Sequence, residues 1–183
     1  MNTVFIGGSK SVVLLDGAVR RRLDRIMAQR FPVVIGDAGG ADKAVQHYLH
    51  HCGYRNVEVF CMDGCCRHNV GRWPLRTVAS GRRRKDFAYY AMKDRLMAET
   101  ATTGFMIWDG RSAGTLANVA RLVRRAKPVL VHLAGSRRAV RLTREATWEK
   151  FLSDCPPLVR DRLQDILRTE EREAATPSPV TLF

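Results

Sequence analysis

The chain alternates short apolar runs with longer amphipathic ones, and this alternation restricts the fold more than any other feature. Residues 3–6, 32–35, 56–61, 104–108 and 128–133 are almost continuously hydrophobic, which predicts strands buried on both faces. Between them the apolar residues recur at helical spacing. They are Val19, Leu23, Ile26 and Met27 within 16–30, and Ala44, Val45, Tyr48 and Leu49 within 42–52. Ala88, Ala91, Met92, Leu96 and Met97 follow within 86–100, then Leu116, Val119, Ala120, Leu122 and Val123 within 113–126. Two more helices are expected at 143–152 and 157–172. Strands alternating with helices predict a parallel sheet covered on both sides, joined by right-handed crossovers. The expected fold is therefore α/β, a Rossmann-like doubly wound five-stranded parallel sheet of order 3-2-1-4-5 with C-terminal helices. A chain of 183 residues suits one domain over 1–173, followed at 174–183 by a flexible tail containing Pro177 and Pro179.

Three of the predicted strands run directly into glycine-rich turns. The first is Gly7-Gly8-Ser9-Lys10, the second Gly36-Asp37-Ala38-Gly39-Gly40-Ala41-Asp42, and the third Trp108-Asp109-Gly110-Arg111-Ser112-Ala113-Gly114-Thr115. A turn that opens a helix aims backbone N–H groups at one spot, at the positive end of the helix dipole. All three turns lie at carboxyl ends of strands, where ligands of open α/β sheets bind. Ser9, Ser112, Gly114 and Thr115 suit a phosphate, and Asp37 and Asp109 suit the hydroxyls of a ribose. Asp42 has a simpler reading as a helix cap. Lys93 and Asp94 precede the fourth strand and read either as site residues or as a solvated helical face. The spacing matches neither the dinucleotide fingerprint nor the P-loop.

Charge and cysteines narrow the chemistry further. The net charge is +13, mostly from Arg, which favours polyanionic or phosphorylated partners. A solvated basic surface is the alternative. No apolar run approaches the roughly 18 residues of a membrane helix. The chain also lacks the basic and apolar regions of a signal peptide at its start, so a cytoplasmic protein with no membrane partner is expected. Five cysteines, an odd number, argue against a disulfide framework. Cys61, Cys65, Cys66 and His68 have no zinc-module spacing, so reduced thiols are expected, with no metal and no cofactor. The connection 62–85 is unusually long and carries Arg67, His68, Arg72, Trp73, Arg76 and the run 82–85. Trp73 in such a loop suits the covering of a base, and Arg82 the holding of a phosphate.

The turn motifs in their order, with Lys93-Asp94 before strand four and Lys127-Pro128-Val129 opening strand five, resemble the SLOG superfamily. Their spacing is similar to its YspA-like branch, related to the Lonely Guy phosphoribohydrolases and the Smf DNA-uptake proteins. The resemblance covers about residues 3–133. It implies a Rossmann-like sheet and a nucleotide or nucleotide-derived ligand of ADP-ribose type, bound at the strand ends, with the protein acting as a sensor. The resemblance implies that Gly7, Ser9, Gly36, Asp37, Asp42, Asp109, Ser112, Gly114 and Thr115 line the site, and the reading of the turns, the long connection and the helix before strand four adds Gly8, Lys10, Ala38, Arg82, Lys93, Asp94, Trp108 and Gly110 as ligand-binding candidates. Lonely Guy enzymes carry an acidic pair after their Gly-Thr; here Leu116, Ala117 and Asn118 follow Thr115. An N-glycosidase or deoxyribosyltransferase, with Asp109 or Asp37 as the catalytic carboxylate, is the alternative. A nucleic-acid-binding protein using the Arg-rich surface is another. A homo-oligomer is compatible with all three.

Overall fold

The computed structural model describes residues 2–136 and 138–175. It is an α/β fold built on one seven-stranded sheet. The strands are β1 (Val4–Gly8), β2 (Val33–Gly36), β3 (Val57–Met62), β4 (Leu75–Val78), β5 (Thr103–Trp108), β6 (Val129–Leu133) and β7 (Arg138–Leu142). Their order is β4-β3-β2-β1-β5-β6-β7, parallel throughout except for the antiparallel pair β6–β7.

The expected five-stranded, all-parallel sheet is thus corrected to seven strands of mixed direction. The five anticipated strands form the centre in the anticipated relative order, and a further strand adds to each edge. Both edge strands lack the continuous apolar run of a buried strand. β4 is largely exposed, and it lies inside the segment 62–85 that reads as a loop. β7 returns along β6 through a turn that includes Gly135 at φ 83°.

The helices are α1 (Gly17–Ala28), α2 (Ala41–His51), α3 (Phe87–Thr100), α4 (Ala113–Val123), α5 (Glu145–Ser153) and α6 (Pro157–Ala175). Side-chain caps set several of their starts. Asp16 accepts from the N–H groups of Ala18 and Val19 at α1, Asp86 from Tyr89 at α3, and Ser112 from Thr115 at α4. α6 runs on to Ala175, so Ala174 and Ala175 are helical rather than part of a tail; residues 176–183 lie outside the described residues.

The core has two layers. On one face Val19, Leu23, Val45 and Leu49 of α1 and α2 pack on Ile6, Ile35, Val59 and Ile107. On the other, Met97, Leu116, Val119 and Leu163 of α3, α4 and α6 pack on Phe5, Phe60, Met106 and Val131. Each such fully buried side chain contributes about 1.5–3 kcal/mol. Among the described residues no helix is long and apolar enough to cross a membrane.

The connectivity places the site. From β1 the chain moves outward through β2, β3 and β4, and α3 then carries it back to β5 on the other flank of β1. The loops after β1 and β5 therefore diverge. A crevice opens between them at the carboxyl ends of the strands.

Candidate functional site

That crevice is a cleft of about 550 Å³, within the usual size of ligand pockets. Gly7, Gly8, Lys10, Ala38, Asp42, Lys93, Asp94, Asp109, Ser112, Gly114 and Thr115 all line it. The three glycine-rich turns thus meet at one place, although they are up to about a hundred residues apart in the chain.

The turn after β5 is held by its own side chains. Asp109 accepts from the N–H groups of Arg111 (2.9 Å) and Ser112 (2.8 Å) through one oxygen, and from Ser11 Oγ (2.6 Å) through the other. Burial opposes its charge, but these donors outweigh burial and hold the carboxyl below its ordinary range. Gly110 sits in this turn at φ 82°. Ser9 is buried beneath. Its hydroxyl meets Thr115 Oγ1 at 3.1 Å and accepts from the Asp109 N–H at 3.1 Å, so it is a strut between the β1 and β5 turns rather than a lining group. Trp108 is likewise buried, and its indole N–H reaches the Ser112 carbonyl. The first-turn N–H groups of α4, at Ala113 and Gly114, are those that helix geometry leaves without an intrahelical acceptor.

A chain of charges forms the cleft floor. Lys93 is buried on α3, with Nζ 2.8 Å from Asp94 Oδ1 and 3.9 Å from Asp37 Oδ1. The solvated helical face is therefore excluded for this residue. Desolvation works against the ammonium, but Asp94 and Asp42 outweigh it and keep Lys93 protonated. Desolvation also opposes the Asp94 carboxylate; Lys93 and Arg121 prevail, and its pKa is lowered. Asp42 is the exception. Burial, reinforced by Asp94 and Asp37, exceeds the pull of Lys93, and its carboxyl is pushed up to about 7.

Asp42 is not the cap of α2. That position belongs to Gly40, whose φ is 68° and whose missing side chain leaves room for the Lys10 backbone. Gly36 is required by the same cluster, because a Cβ there would press on Asp42 Oδ2 and Lys93 Nζ.

Asp37 is buried and holds Arg67, which donates from Nη2 at 2.6 Å and from Nε at 3.2 Å, while the Arg67 N–H adds a third bond at 3.1 Å. These donors overcome the burial that would raise it, and its pKa falls. Asp37 thus anchors Arg67 in place of the ribose contact expected of it. Arg82 pairs with Glu173 of α6 at 2.9 Å and is not among the cleft-lining residues. Trp73 turns inward, buried, with its indole N–H on the Tyr54 carbonyl, so it covers no base. Cys61 is buried, Cys65 exposed, and the Cys66 thiol is pushed up to about 11 by burial. Among the described residues no three His, Cys, Asp or Glu side chains gather as a metal site.

Several lining residues escape a motif search. Arg67 comes from the long connection and lies over the Tyr90 ring, 4.2 Å from its centre. Phe87, Tyr90, Asp94 and Met97 share one face of α3, a spacing readable from the sequence once a cleft is known to lie there. Phe87 keeps 48% of its surface exposed, so its ring is free to take a stacking partner. Ser11 and Asn118 complete the polar side.

The charged lining is balanced, with Lys10, Arg67, Lys85 and Lys93 against Asp42, Asp86, Asp94 and Asp109. The chain's large positive charge is therefore carried elsewhere. Neither a family model nor a curated protein matches this chain.

Proposed function

We propose that this chain binds a nucleotide or a nucleotide-derived ligand of ADP-ribose type in the cleft between β1 and β5, as a sensor. The observation that carries this reading is the meeting of three chemistries in one cleft. The first turn of α4, at the N–H groups of Ala113 and Gly114, with Lys10, supplies donors for a phosphate. Asp109 spends three acceptor sites on Arg111, Ser112 and Ser11, and a carboxylate has about four, which leaves one for a sugar hydroxyl. The exposed ring of Phe87 offers a face to a base. The resemblance of the turn motifs to the SLOG superfamily, YspA-like branch, supports the same reading.

One observation favours a second reading, cleavage of an N-glycosidic bond. Asp42 faces the cleft with its carboxyl pushed up to about 7, and a group protonated near neutrality suits the donation of a proton to a leaving base. Mass spectrometry separates the two. Purified protein is heated and the released small molecules are identified; separately, it is incubated for hours with nucleotides and ADP-ribose. An intact nucleotide released by heat and no free base after incubation supports binding alone. Free base, lost when Asp42 is replaced by Asn, supports cleavage.

A further inference from the structure

The side of the sheet that carries α1 and α2 is incompletely covered. α1 packs over the centre, and beyond it the matching face of β5, β6 and β7 lies open. Three adjoining hollows of about 190, 260 and 180 Å³ share Arg22 and Leu130 and form one groove between α1 and β7. Helical spacing brings Ala18, Arg21, Arg22 and Arg25 to one side of α1, along the groove wall. Strand alternation brings Leu130 and His132 of β6 and Ala139 and Arg141 of β7 to the floor and opposite rim. The groove shares no lining residue with the cleft.

Its charge differs sharply from that of the cleft. No Asp or Glu lines any of the three hollows. Among the described residues Arg21, Arg22, Arg25 and Arg141 have no carboxylate partner, whereas Arg67, Arg82, Arg95, Arg121, Arg124 and Arg125 all have one. Asp16, the cap of α1, is bound to His132 at 2.7 Å, and Asp24 of α1 accepts from the Tyr48 hydroxyl at 2.8 Å. Four unpaired guanidinium groups thus converge from two segments far apart in sequence.

We propose that this groove binds the phosphate backbone of a nucleic acid, without regard to base sequence. Two observations select that partner. Arg21 and Arg25 stand one helical turn apart, about 6 Å along the axis, so they can engage successive phosphates. Guanidinium groups bind phosphate through paired N–H donors, which makes Arg the better residue for this task. Apolar side chains also line the hollows: Phe31, Pro128 and Leu130 are half-buried, and Val4, Ile26 and Phe105 are buried. A second copy of the chain would bring four more arginines against these four and be repelled.

The test is fluorescence anisotropy with a labelled 20-base-pair DNA duplex of arbitrary sequence, titrated across KCl concentrations. Each phosphate neutralised contributes about −0.9 to the slope of log K against log salt. Four arginines then predict a slope near −3.6 and a loss of about 100-fold between 50 and 200 mM salt. The pair Arg22→Ala and Arg141→Ala should reduce the slope by about 1.8. The pair Arg162→Ala and Arg168→Ala removes the same charge from α6, on the other side of the sheet, and should leave the slope nearly unchanged. All four positions are at the surface, and unaltered circular dichroism confirms each variant is folded. Equal losses from both pairs would overturn the proposal, as would no binding at 50 mM salt. Displacement of the duplex by polyglutamate as readily as by unlabelled duplex would also overturn it.

Discussion

Lys93→Met keeps the apolar stem of the side chain and deletes the ammonium that Asp94, at 2.8 Å, and Asp37, at 3.9 Å, share. At an effective dielectric of about 20 these contacts are worth roughly 6 and 4 kcal/mol. Removing the ammonium from water offsets much of that gain. The outcome is decided by what the substitution leaves behind. Asp37 keeps Arg67, but Asp94, whose side chain is only 20% exposed, loses its nearest cation.

Breaking a buried pair from one side costs about 3–5 kcal/mol, which for a chain of this size lowers Tm by roughly 6–20 °C. The sign with pH follows from the shifts. In the wild type the Asp94 pKa is lowered, so its contribution to stability is present above the ordinary carboxylate range and lost as pH falls through the folded value. Without Lys93 the strongest influence that lowers Asp94 is gone and Arg121 and Asn118 are left against burial, so the cost of its charge grows as pH rises. Urea unfolding at pH 5 and pH 8 should therefore give a larger destabilisation at pH 8. A loss under about 1 kcal/mol at pH 8, or one equal at both pH values, would refute the assignment of Lys93 as the centre of a buried charge network.

Asp42→Asn should have the opposite sign. The wild-type carboxyl titrates at about 7 in the folded protein and near 3.8 unfolded, so wild-type stability falls as pH rises between those values. The variant escapes that loss, and its advantage in urea unfolding should grow by about 2–3 kcal/mol from pH 5 to pH 7 and beyond; a constant difference would show that Asp42 does not titrate there. Asp109→Asn keeps an oxygen for the Arg111 and Ser112 N–H groups but loses the charge. It should weaken ribonucleotide binding by about 1–3 kcal/mol in calorimetry, with a small fall in Tm because the donors that lower the Asp109 pKa lose a charged acceptor; undiminished affinity would remove Asp109 from the ligand contacts.

The centre of the fold, and the meeting of the three glycine-rich turns at one cleft, were readable from residue pattern. Strands such as 104–108 are apolar on both faces, and only burial between two helical layers satisfies them. The glycine-rich turns mark where the backbone must pass close to another group, as at Gly36 beneath Asp42 and Lys93. The edge strands were not readable. β4 has Leu, Arg, Thr and Val at positions that are mostly exposed, so pairing and not burial makes it a strand.

Roles within the site were less legible than its position. Whether Asp37 meets a ligand or an arginine depends on where residue 67 lies, thirty positions away in an irregular segment. Trp73 shows the same limit, since an aromatic residue in a loop fits a ligand cover and a core plug equally well until the backbone is fixed. The four groove arginines carry no local motif because β7 supplies Arg141 only through its pairing with β6.

Ligand binding in the cleft is tested most directly by calorimetric titration of the wild type against Gly114→Asp. Residue 114 lies in the first turn of α4, where an added carboxylate favours the helix dipole and should leave the fold intact. Its side chain would start 3.2 Å from the Phe87 ring and project charge into the space assigned to phosphate. With AMP, ADP, ATP and ADP-ribose as probes, the wild type should bind at least one, and the variant should bind none while melting at an unchanged temperature. Equal affinity in both proteins, or no heat from the wild type with any of the four, would contradict it.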